Sequence, residues 1–177
     1  MRDSWGSVLQ CGRGVAALAL GLLLASGCDV NVFHDAITTS LEVPGVEVGL
    51  FTTAKRFRFE RDVAAARNAV LHQAWVAIDT EADNPEGLDL SVFSTIDIFV
   101  IEPATSRRVL AVQGKSFRPG ELERSLDIVL HEDLRDFVVD QRVSLDWEIM
   151  RHALVPAWEP EAVLHLRFGI VLEIETQ

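Results

Sequence analysis

The sequence predicts an all-β fold: an antiparallel β-sandwich, immunoglobulin-like or jelly-roll-like, with one or two short helices, preceded by a cleaved signal helix. Three observations predict it. Segments of five to fourteen residues carry apolar side chains with a period near two. Turn signals such as Pro44-Gly45, Pro103 and Pro119-Gly120 separate them. Only Asp62–Asn68 and His131–Val138 read as helical, and both are short.

The first element stands outside that fold. Arg2 and Arg13 precede a run from Val15 to Ala25 built only of Val, Ala, Leu and Gly. A membrane-spanning helix needs about 20 apolar residues, so this run is too short to span. Its basic start, apolar middle and small residues before a cut site are the parts of a secretory signal. Leu24-Ala25-Ser26-Gly27-Cys28 resembles the lipobox of bacterial membrane lipoproteins, with Ala25 standing where Leu is usual. The resemblance implies removal of residues 1–27 and a diacylglycerol thioether on Cys28; the length and strand pattern of what remains make 28–177 a single sandwich domain. The lipobox resemblance also implies attachment to the bacterial cell envelope, on the periplasmic or extracellular side.

The remaining elements follow in order. Asp29–Thr39 reads as a tether running into a first strand. In Thr53–Glu60, Phe57 and Phe59 share one face and Arg56 and Arg58 the other. Asp62 caps a short helix through three alanines, and Val70–Ile78 returns as a strand. Asp79–Asp89 is an acidic loop. Val92–Ile101 is almost continuously apolar, which predicts a central strand covered on both faces; Arg108–Gln113 pairs back on it. Leu126–Leu130 is a short strand, and Leu134 and Phe137 share one face of the helical turn that follows. Val143, Leu145, Trp147 and Ile149 line one side of Arg142–Met150. Ala162–Glu175 closes the chain, with Leu164, Leu166, Phe168, Ile170, Leu172 and Ile174 on a wholly apolar face. This closing pattern of strand, short helix, strand, proline loop and long strand resembles other bacterial lipoproteins and implies no activity.

Charge and composition exclude some functions. The whole chain has 16 Lys+Arg against 27 Asp+Glu. Loss of Arg2, Asp3 and Arg13 leaves 14 against 26, a net of −12. A nucleic-acid partner needs a basic footprint, so Lys55, Arg56, Arg58 and Arg61 read as a solvated strand face. With Cys11 removed and Cys28 lipidated, no thiol remains for a disulfide or a thiolate metal site. The histidines His34, His72, His131, His152 and His165 form no HxH or HxxxH pair. No metal, cofactor or catalytic residue is therefore expected, and the acidic loop lacks the spacing of an EF-hand. The sequence points to a non-catalytic binding or scaffolding module, held to the membrane by lipid on Cys28 and open to an envelope protein partner. A periplasmic ligand-binding or hydrolytic domain is the alternative. It predicts a concave pocket gathering some of Asp79, Asp83, His131, Asp133 and Trp158.

Overall fold

The computed structural model describes residues 31–45, 49–152 and 162–176. The signal run, Cys28 and Trp158 lie outside these. The chain forms β1 (Asn31–Pro44), β2 (Leu50–Arg58), β3 (Asn68–Ile78), β4 (Phe93–Ile101), β5 (Arg108–Lys115), β6 (Glu123–Ser125), β7 (Asp127–Ile128), β8 (Val138–Val139), β9 (Arg142–Arg151) and β10 (Val163–Thr176). Single 3-10 turns occupy Leu90–Val92 and Leu134–Phe137.

Two antiparallel sheets result. One runs β1-β10-β3-β6; the other runs β2-β9-β4-β5-β7, with β8 paired to β9. Setting aside the two-residue strands β7 and β8 leaves eight, and their pairing follows one rule. First meets eighth, second meets seventh, third meets sixth, and fourth meets fifth. The chain is thus one long hairpin, bent at the β4–β5 turn and rolled so that alternate pairs fall into opposite sheets. That is the jelly roll, one of the two architectures the strand pattern predicts.

The core lies between the sheets. Every residue of the predicted apolar face of β10, Leu164 through Ile174, is buried, as are Val143, Leu145, Trp147 and Ile149 of β9. Trp147 is the hub. It meets Phe168 across the sandwich at 6.1 Å and Phe57 beside it at 5.8 Å, both edge-on. Each such side chain contributes about 1.5–3 kcal/mol on burial. On the outer face of the first sheet, Trp75 lies against its register partner Gly169, and any Cβ at position 169 would collide with the indole. The β8–β9 hairpin turns on Asp140 and Gln141, both with positive φ, which matches the strand twist that two-residue hairpins require.

Four expectations need correction. Asp29–Thr39 is more strand than tether: β1 is already paired with β10 at Asn31. Asp62–Asn68 is not a helix. The Asp62 carboxylate accepts from the Ala65 N–H at 3.2 Å, but Asn68 already pairs with Glu175, which leaves fewer than two turns. Val63 and Ala66 are instead buried by that bend. Leu126–Leu130 is not one strand, because the chain crosses from β6 in one sheet to β7 in the other at the buried Leu126. Lastly, β4 is central but covered on one face only. Thr95, Asp97, Phe99 and Ile101 stay half-exposed. The Arg108 guanidinium lies over the Phe99 ring at 4.1 Å, and the Gln113 amide donates to Asp97 at 2.9 Å.

Candidate functional site

Among the described residues, Asp79 and Asp133 do not come together in one pocket. Asp133 is fastened to the start of β3: its carboxylate accepts from the Ala69 N–H at 3.3 Å and the Arg135 N–H at 3.0 Å, and pairs with the Arg135 guanidinium at 2.6 Å. Asp79 follows the last residue of β3. Nine residues of strand lie between Ala69 and Asp79, a span of roughly 30 Å, so the Asp79 and Asp133 carboxylates cannot share a ligand. His131 is solvent-exposed, and Trp158 lies outside the described residues. Trp147 is fully buried in the core, and Trp75 lies against Gly169 on the outer face of the first sheet.

The acidic loop has a structural task. Asp79 accepts from the Glu81 N–H at 3.3 Å. Asn84 donates to the Asp79 carbonyl at 2.5 Å and accepts from the His165 N–H at 2.7 Å, sealing the loop to β10. Asp89 caps the first 3-10 turn through the Ser91 N–H and accepts from the Gly120 N–H on a distant loop. Burial pushes its carboxyl up, but the Ser91 and Gly120 hydrogen bonds outweigh that and hold it below its ordinary value. These loop carboxylates do not converge on a common point.

Spaces between the described side chains range from a dry gap to surface grooves. The gap between the sheets measures about 10 Å³ and is lined by apolar residues such as Ile37, Phe59, Ile98 and Leu172. It has room for one water at most and no polar partner for it. Two surface grooves measure about 280 and 380 Å³. Among the described residues, the first holds Ser106, Ser144, Glu102 and Asp140 with no histidine, and the second holds His165 and Asp83 with no hydroxyl or thiol.

Among the described residues one cluster does form, and it is invisible as a linear motif. His34 on β1, Glu173 on β10 and His72 on β3 come together across three adjacent strands on the outer face of the first sheet. Glu173 is the direct register partner of His34. His72 arrives by a β-bulge: Val171 pairs with Gln73 and Leu172 with Leu71, so His72 is the extra residue. Both His72 and Gln73 are consequently exposed, where regular alternation would turn one of them inward. The Glu173 carboxylate oxygen lies 3.5 Å from His34 Nε2 and 3.6 Å from His72 Nδ1. The two imidazoles stack at 4.8 Å, 19° from parallel.

Comparison with known proteins places the chain in no family: no family model matches it, and no curated protein matches it. Among solved structures, the empty head of turnip yellow mosaic virus is similar at 12% identity, over 98% of this chain and 90% of that one, with a TM-score of 0.29. Desmodium yellow mottle tymovirus is similar at 12% identity, over 99% and 90%, with a TM-score of 0.32. Likeness at that level assigns no function.

Proposed function

We propose that the chain is a lipid-anchored lipoprotein of the bacterial cell envelope, and that its sandwich is a non-catalytic binding or scaffolding module for an envelope protein partner. The observation that carries this reading is the lipobox-like Leu24-Ala25-Ser26-Gly27-Cys28 at the end of an uncharged apolar run. The spacing to the fold supports it. β1 begins at Asn31, and the three residues from Cys28 reach about 10 Å when extended. Lipid on Cys28 would hold the Asn31 end of β1 close to the head groups, together with Thr176, its register partner. Two or three acyl chains supply firm attachment, which a domain of net charge −12 needs because it has little attraction to anionic lipid. The non-catalytic part rests on the separation of Asp79 from Asp133, which lie at opposite ends of β3.

Expression of the full chain in a bacterium with clickable palmitate, beside Cys28→Ser, tests the anchor. The wild type should take up label and gain the mass of a diacylglycerol thioether, and the variant should do neither. An unlabelled wild-type protein in the soluble fraction would overturn the reading.

A further inference from the structure

We propose that His34, His72 and Glu173 form a zinc-binding site on the outer face of the first sheet. The three side chains offer two imidazole nitrogens and one carboxylate oxygen, all within 4.8 Å of one another. This donor set suits a divalent ion of intermediate softness rather than calcium or magnesium, which take oxygen ligands. Their spacing suits it too. With Zn–N and Zn–O bonds near 2.0–2.2 Å, neighbouring ligands of a tetrahedral zinc stand about 3.3 Å apart. The two observed nitrogen-to-oxygen separations of 3.5 and 3.6 Å are within a few tenths of that edge. The same separations are long for hydrogen bonds, so the cluster is not explained as a tightly bonded triad. The remaining adjustment is a rotation of imidazoles that are about half exposed, at 53% and 49%.

Two features of the scaffold strengthen the assignment. The ligands sit on three hydrogen-bonded strands, with Glu173 on the middle one, so the backbone fixes their relative positions. The bulge that exposes His72 is a local departure from regular pairing, of the kind that re-aims a side chain at a site. Glu175, two residues along β10 and on the same face, adds negative potential beside the ion. Three protein ligands leave one position open to water or to a donor from a partner.

The test uses the full chain in detergent with Cys11→Ser and Cys28→Ser, and no affinity tag rich in histidine. No thiolate then competes, and the result does not depend on lipidation. Zinc chloride titrated by calorimetry should bind at one site per chain. His34→Ala, His72→Ala and Glu173→Gln should each weaken binding at least about tenfold, the smallest loss typical even for groups that only support a ligand. His131→Ala and His165→Ala should leave it unchanged. Cobalt substitution should give visible absorption bands that disappear in the same three variants. All three side chains are on the surface, and an unchanged circular dichroism spectrum confirms that each variant folds. Absence of saturable zinc binding, or binding that survives the combined His34→Ala and His72→Ala change, would overturn the proposal.

Discussion

Asp89 shows what one carboxylate can do in a sandwich without disulfides. It caps a 3-10 turn and reaches a second loop through Gly120, so it joins the connection before β4 to the one after β5. Asp89→Ala should lower stability at neutral pH by about 1 kcal/mol, the usual value of a cap. The sign of the pH effect follows from the depressed carboxyl. Its contribution is complete above the ordinary aspartate value of 3.8 and is lost as pH falls through the lower folded value. The difference between wild type and variant should therefore shrink on acidification. Urea midpoints at pH 7 and pH 3 measure this, and an equal gap at both would contradict it.

At the scale of elements, the exposed borders of the sheets matter most. β1 is a fourteen-residue edge strand, and edges of that length invite pairing with other chains. This one is guarded from β2 and the bend that follows it. Lys55 Nζ donates to the Ser40 carbonyl at 2.6 Å and to the Thr39 hydroxyl at 3.2 Å, and the Glu60 N–H donates to the Asp35 carboxylate at 3.2 Å. Lys55→Glu removes the donor and places a carboxylate beside a carbonyl. The variant should self-associate more than the wild type, as a shift to larger species in size-exclusion chromatography with light scattering. A monomer at all concentrations would show that the lysine has no guarding role.

The same edge explains what the sequence made legible. β9 and β10 could be read because their inward positions from Val143 to Ile149 and from Leu164 to Ile174 are all apolar, and they run through the middle of their sheets, where inward means core. In β1 the inward positions include Asp35 and Thr39. At a rim these side chains meet Glu60 and Lys55 instead of core, so the alternation looked broken and the strand looked like a tether. β4 misled in the opposite sense. Phe99 suggested a second covered face, but the cover is a single arginine side chain rather than another layer. The histidine cluster had no signal to find. His34, His72 and Glu173 lie 38 and 101 positions apart, and their meeting depends on the strand order and on a bulge that alternation does not reveal.

For the molecule as a whole, the rolled hairpin sets the folding problem. Its outermost pairing joins Asn31 to Thr176, so the first strand has no sheet partner until almost the entire chain is in place. Folds dominated by such distant pairings fold in milliseconds to seconds. Stopped-flow refolding, followed by tryptophan fluorescence, should give time constants in that range, insensitive to reductant because no cysteine follows Cys28. Microsecond relaxation would contradict it. That outermost pairing also brings the two ends of the fold side by side, nearly closing it into a ring. A short peptide bridging Thr176 to Asn31, with a fresh break in the loop around Gly87, would leave every strand with its present neighbours. The architecture is a cycle of pairings, and translation reads that cycle from one starting point among several that would serve.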